Sequence, residues 1–262
     1  MKNKRVRSAA AQGNVEHGGA YFNMPVHIWD QMTPVEEVMR GLDDLVRQGK
    51  ILYAGISDAP AWWVAQTNTL AELRGWSRFV GLQIEYSLIQ RTVERELIPM
   101  AKALDVGVTA WSPLANGILT GKYHGSGNAE EGRMSRREMQ EFVPEQERTN
   151  RVVAAVKAVA EQTGRSMAQV ALAWLRYRPV PVIPIIGARK VAQLQDNLAS
   201  LELDLSAEQV KSLDEASSIE AISLLSLQRT NDPSLGLRRH ARPDSRLGSS
   251  SKPADATQET AR

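Results

Sequence analysis

Met24-Pro25-Val26-His27-Ile28-Trp29-Asp30-Gln31-Met32-Thr33-Pro34-Val35-Glu36 reads as a strand, a turn and the start of a helix. The β-branched run Val26 to Trp29 is the strand. Thr33-Pro34-Val35-Glu36 has the form of a capping box with proline at the first helical position. Val35, Val38, Met39, Leu42, Leu45 and Val46 then recur at helical spacing until Gly49, and Ile51 to Ile56 reads as the next strand. Strand, amphipathic helix and strand in this order make a parallel βαβ unit. The turn after His27-Ile28-Trp29-Asp30 has no glycine before Thr33. A dinucleotide fold would need a glycine-rich fingerprint there, so its absence favours a (β/α)₈ barrel over an open doubly wound sheet.

The pattern continues outward with candidate strands Val80 to Ile84, Val106 to Ala110 and Val182 to Ile186. Ser166 with Gln169, and Ser206 with Gln209, announce two further helices. Residues 24–217 therefore read as about five parallel β/α units, a partial barrel, with the polar stretch His124 to Asn150 as an insertion after the fourth strand. Residues 1–23 and 218–262 have neither period, and their Gly, Ser, Pro and Arg content predicts disordered ends. A sheet of five units leaves Val26 to Trp29 and Val182 to Ile186 as unclosed edges. Ile84, Ala110 and Ile183 are expected to point into the incomplete interior, and self-association through the edges is expected.

Composition narrows the function classes. The 262 residues are 42% apolar and 24% charged, which suits a folded chain with a sizeable core. The absence of cysteine excludes disulfides, thiolate metal sites and a thiol nucleophile. The four histidines, His17, His27, His124 and His240, lack the spacing of a helical metal site. No run spans a bilayer and no signal-peptide core opens the chain, so a cytoplasmic protein is expected. The net charge of +2 comes from the ends, and arginines scattered without interleaved aromatics predict no nucleic-acid partner.

Chemistry in a barrel of this kind sits where strands end. The rule selects His27, Ser57-Asp58, Gln83 to Tyr86, Trp111 to Leu114 and Gly187 to Arg189. Plainer readings stand beside it: a structural histidine, a helix N-cap at Ser57-Asp58 ahead of Pro60, and ordinary strand residues at Gln83 and Tyr86. Gly117 to Tyr123 lacks both the glycine spacing and the hydroxyl of a P-loop. The pairs Glu36-Glu37 and Asp43-Asp44 are expected on the solvent faces of their helix.

Four blocks, in order, resemble the aldo/keto reductases: Gly55-Ile56-Ser57-Asp58; Leu82 to Ile89 with Glu94-Arg95-Glu96-Leu97; Trp111 to Tyr123; and Ile183 to Arg189 with Asn197. The branch they are most similar to is that of bacterial oxidoreductases and potassium-channel β-subunits. The resemblance implies a (β/α)₈ barrel that binds extended NADP(H) and reduces a small-molecule aldehyde or ketone to an alcohol. His27 then matches the catalytic histidine that orients the carbonyl. Ser57, Asp58 and Gln83 match the positions on the nicotinamide carboxamide, with Asp58 where the family commonly has Asn. Trp111 matches the platform under the ring. Ser112, Leu114, Gly117 and Leu119 match the pyrophosphate loop, and Gly187, Arg189, Gln193 and Asn197 match the adenosine 2′-phosphate segment.

Simple chemistry agrees with those roles. A flat nicotinamide suits an aromatic face and an amide partner, and a 2′-phosphate suits a guanidinium at a helix start. The family's proton donor is a tyrosine tuned by a lysine and an aspartate, all from segments ahead of the histidine. Tyr21 is the only tyrosine before His27, and its surroundings do not match that motif. The expectation is therefore a chain lacking the first three β/α units and the usual C-terminal end, with little carbonyl reduction of its own. A non-catalytic NADP-binding or interaction module, or a gene fragment without function, is the alternative.

Overall fold

A computed structural model describes residues 24–122 and 146–219. Five parallel strands form one sheet in chain order: β1 (Met24–His27), β2 (Ala54–Ser57), β3 (Phe79–Glu85), β4 (Gly107–Trp111) and β5 (Val182–Pro184). The helices are α1 (Val35–Arg47), α2 (Ala61–Arg74), α3 (Leu97–Ala103), α4 (Gln146–Thr163), α5 (Met167–Trp174), α6 (Val191–Leu198) and α7 (Ala207–Ala216). This is the partial α/β barrel expected, with β1 and β5 as the outer strands among the described residues. The end segments and residues 123–145 lie outside the described residues, as do Tyr21 and the expected disorder of the termini. The last residues of the expected insertion, Gln146 to Asn150, already belong to α4.

Strand parity explains why the core lies on one side. Ile56, Leu82, Ile84, Val108, Ala110 and Val182 are buried and share a cluster with Met39 and Leu42 of α1, Trp63 and Val64 of α2, Val156 of α4 and Trp174 of α5. Each such large side chain stabilises by roughly 1.5 to 3 kcal/mol on leaving water. Ile84 and Ala110 thus face the helices, contrary to the inward orientation expected. Ile183 pairs with Thr109, one residue out of phase with Ala110, and stands 65% exposed on the opposite face. The expected set mixed two parities: Ala110 pairs with Pro184, and Ile183, one residue earlier along β5, points to the other face.

Local chemistry also corrects the helix starts. Pro34 occupies the N-cap of α1 and makes no side-chain cap. Asp30 instead takes Thr33, accepting from its N–H at 2.7 Å and its hydroxyl at 2.6 Å, and from Met32 N–H at 2.9 Å. The turn at Asp30 therefore competes successfully with the expected capping box. Ser206 and Gln209 do form their box at α7. At α5 only Ser166 caps, because the Gln169 amide donates to Asp196 at 2.6 Å.

Asp43 is buried, not on a solvent face. Its carboxylate accepts from Ser77 N–H at 2.9 Å, from the Ser77 hydroxyl at 3.1 Å and from Arg47 Nε at 2.6 Å, tying α1 to the residues that lead into β3. Burial alone would push this carboxyl up, but the Ser77 bonds and Arg47 outweigh it and hold it below the ordinary range. A lowered carboxyl contributes stability above the ordinary aspartate value, about 3.9, and loses it as pH falls through the folded value. Asp43→Asn should therefore lower the unfolding midpoint near neutrality, and the gap to the parent should close below about pH 4. Urea titrations at several pH values measure this. A gap independent of pH would show that charge at Asp43 contributes nothing.

Candidate active site

The register places functional groups in one row across the strand ends. His27 pairs with Ser57, Ser57 with Gln83, Gln83 with Thr109 and Thr109 with Ile183. Paired residues of a parallel sheet share a face, so this row lies opposite the helix-packed core. Two residues on, Glu85 pairs with Trp111 on the same face. Two residues back, Gly55, Gly81 and Gly107 form a row of bare backbone. The face is thus floored by glycine and rimmed by His27, Ser57, Gln83, Thr109, Glu85 and Trp111.

Backbone strain marks the same rim. Ile28, Asp58 and Ser112 each follow a strand and have φ of 59°, 49° and 53°. Left-handed backbone is a clear outlier for a β-branched residue such as Ile28, costs of order 1 to 3 kcal/mol and gathers at functional sites. Ile28 N–H still donates to Ser57 O at 3.2 Å, continuing the β1–β2 ladder into the turn. Trp29 lies beyond β1, outside the strand predicted for it. Its ring stacks on Trp63 at 5.5 Å and meets the edge-on Trp62 at 5.3 Å.

The plainer reading of Ser57-Asp58 as a helix cap does not hold, because Pro60 is the N-cap of α2 and takes no side-chain bond. The Ser57 hydroxyl donates to Asp58 Oδ2 at 2.9 Å, and that oxygen lies 3.4 Å from His27 Nδ1. Ser57 is buried, while the His27 side chain is 53% exposed. Glu85 joins this group electrostatically: burial, then the charge of Asp58, raise its carboxyl above the ordinary range.

The remaining matched residues fall into two loops. Ser112 to Thr120 contains three further positive φ values, at Ala115, Asn116 and Gly117, which fold it tightly against the end of β4. Leu114 is half-buried, but Leu119 is fully buried in the core, leaving only its backbone for any phosphate. Gly187 and Arg189 are exposed ahead of α6. Gln193 Oε1 accepts from Arg189 N–H at 2.9 Å and Lys190 N–H at 3.3 Å, so the Gln193 side chain organises this helix start. Among the described residues the Arg189 guanidinium has no ion pair, and Asn197 is buried beneath the helix.

Sequence reasoning took in Glu85 only as part of the stretch Gln83 to Tyr86, without a role of its own, and missed Thr109 and the Trp29–Trp62 contact. Alternation along β3 puts Glu85 on the face of Gln83, and the same parity along β4 pairs Thr109 with Trp111, so both had a signal. The left-handed turn at Ile28, which carries the chain off β1 ahead of Trp29, had none. Among the described residues no group of His, Asp and Glu could hold a metal ion, and no helix is long and apolar enough to cross a membrane.

Comparison with known proteins shows the family of the chain. The family model described as "Aldo/keto reductase family" matches residues 5–218, which includes residues ahead of Met24. Norsolorinic acid reductase A of Aspergillus parasiticus is 36% identical over 191 residues, 73% of this chain and 47% of that protein. Aryl-alcohol dehydrogenase [NADP(+)] of Phanerodontia chrysosporium is 36% identical over 192 residues, 72% of this chain and 50% of that protein. Versiconal hemiacetal acetate reductase of Aspergillus parasiticus is 32% identical over 207 residues, 79% and 60%. The chain spans about half the length of the first two.

Proposed function

Because the chain belongs to the aldo/keto reductase family, we propose that it binds NADP(H) across the carboxyl ends of β1 to β5 and serves oxidoreduction between a small carbonyl compound and its alcohol. The observation that carries the reading is the single row of His27, Ser57 and Gln83, with Trp111 on the same face. The residues suit the cofactor. Gln83 offers an amide to the carboxamide and Asp58 an acceptor for its NH₂. Trp111, half-buried, offers an aromatic face, and the strained loop from Ser112 to Gly117 runs on from it. Arg189, exposed and without an ion pair among the described residues, stands at a helix start where a 2′-phosphate would gain both a guanidinium and backbone N–H groups. The bound nicotinamide would supply or accept the hydride, and His27 faces the site where the substrate oxygen would lie.

An aryl compound is the substrate class we favour. Trp29, two residues after His27 in the chain, stacks on the core residue Trp63 and meets the 56% exposed Trp62 edge-on. One relative is named for aryl alcohols and NADP(+). We further propose that the 262 residues alone turn over slowly, since no tyrosine, lysine and aspartate set matching the family's is present in them. Lacking a positioned acid costs about 10² to 10⁴-fold.

The test is a titration of NADPH fluorescence together with a turnover assay on benzaldehyde. Saturable binding with turnover reduced by at least about 10²-fold relative to a relative that carries that set is expected. Rapid turnover abolished by His27→Ala would overturn the slow-chain reading, and absence of NADPH binding would overturn the cofactor assignment.

A second reading, association between two copies, is favoured by the exposed apolar side chains along the outer strands. Ile28 is 57% exposed, Ile183 65% and Ile185 44%. An open strand edge beside such a face is a template for pairing. Light scattering that returned a monomer at all concentrations would remove it.

A further inference from the structure

Asp58 enters the left-handed region directly after Ser57, with φ of 49°. A short polar residue tolerates that conformation. The resulting turn brings the carboxylate back toward β1, where Oδ2 accepts from the Ser57 hydroxyl at 2.9 Å and lies 3.4 Å from His27 Nδ1. A neutral imidazole carries a proton on one nitrogen and a lone pair on the other. A carboxylate only accepts, so the nitrogen facing it is the protonated one, and the partner of one ring nitrogen decides what the other presents.

We propose that Asp58 is the positioning residue of His27: it holds the Nδ1–H tautomer and so turns the Nε2 lone pair toward substrate, where neutral His27 accepts a hydrogen bond from an alcohol hydroxyl and has none to donate to a carbonyl. The inference rests on the reading of His27 as the group facing substrate. It departs from the carbonyl-orienting role that the family resemblance implies, and the cause is particular to this chain: Asp58 stands where an asparagine is usual. An asparagine has no charge and could turn either its oxygen or its NH₂ to Nδ1, leaving the tautomer open.

The neighbouring groups support the assignment. Glu85 is the other carboxyl near Asp58, and since its carboxyl is raised by burial and by Asp58, it gains a proton more readily than an ordinary glutamate. Asp58 Oδ2 accepts from Ser57 and lies 3.4 Å from His27 Nδ1, which leaves Oδ1 to a carboxamide NH₂. At 53% exposure, the His27 ring is open to a ligand. A carbonyl compound would find an Nε2–H donor here only after the ring gained a second proton.

Long-range ¹H–¹⁵N spectra of the full chain test this without any nucleotide, at a pH about two units above the ordinary histidine value. The His27 signal is identified by its loss in His27→Gln. The expected result is an Nδ1 protonated and an Nε2 bare in the parent chain, and a shift to the Nε2–H form in Asp58→Gly, which keeps the left-handed backbone and removes the acceptor. Nε2–H as the major form in the parent overturns the proposal whether or not the variant folds, and so does an unchanged tautomer in a folded Asp58→Gly. Failure of NADPH titration with the tautomer as expected would count against the cofactor reading alone. Added benzyl alcohol should shift the Nε2 resonance more than equal benzaldehyde does, and an equal or larger shift with benzaldehyde would overturn the alcohol preference.

Discussion

Glu94→Ala should cost about 3 to 5 kcal/mol, a large part of what holds a domain of this size together. Glu94 is nearly buried and accepts from the Tyr86 hydroxyl at 2.6 Å, from Arg91 Nε at 2.9 Å and from Arg91 Nη2 at 2.8 Å. Arg91 Nη1 goes on to Ser217 Oγ at 2.7 Å and Asp214 O at 3.0 Å, joining the loop after β3 to the end of α7. Arg178 lies over the Trp174 ring at 4.0 Å and makes two bonds to Asp214, which also accepts from Trp174 Nε1. Without Glu94 two guanidinium groups share one carboxylate, and the Tyr86 hydroxyl loses its acceptor in a buried place. In the parent, burial, then the charge and hydrogen bond of Glu94, hold Tyr86 well above the ordinary tyrosine range. The measurement is the urea midpoint, read against Glu161→Ala, which removes only an exposed pair with Lys157 at 3.9 Å. That control should shift stability by less than about 0.5 kcal/mol. Similar effects from both variants would sink the claim that this network joins α7 to the sheet.

Arg189→Ala should weaken NADPH about ten- to a hundredfold while leaving NADH nearly unchanged. A charged hydrogen-bonded pair is worth roughly 1.5 to 3 kcal/mol, and a factor of ten in affinity is 1.4 kcal/mol. Only the 2′-phosphate distinguishes the two nucleotides, so the selective loss reads its contact directly. Arg189 is free to make that contact because its backbone N–H, and not its guanidinium, is the group held by Gln193. Fluorescence titration of both nucleotides against both chains measures it. Equal loss for the two would place Arg189 on a part of the cofactor they share.

The features legible in the sequence were those set by local patterns. Helical spacing in Val35 to Val46 and β-branched runs before each turn gave the alternation of α1 and β2, and the capping box at Ser206 and Gln209 marked α7 correctly. The family blocks picked out Ser57, Gln83 and Trp111, which the register then brought to one face. Less legible were features in which two local options compete. Thr33 could cap α1 or bond to Asp30, and only the geometry of the β1 turn chose Asp30. Asp43 sits among charged residues of an amphipathic helix, and nothing near it in sequence shows that Ser77 will close over it.

The order of strands and the candidate residues were therefore determined by the sequence itself, because periodicity and turn chemistry act over a few neighbours. Tertiary structure alone decided which residues meet. It assigned Ile84 and Ala110 to the helices and Ile183 to the open face, since alternation leaves two faces and only the packing of the helices chooses between them. It also joined Arg91 to Ser217, and His27 to Asp58 through a left-handed turn, across separations at which no local pattern acts. Those contacts depend on where whole strands and helices come to lie, and burial settles that collectively.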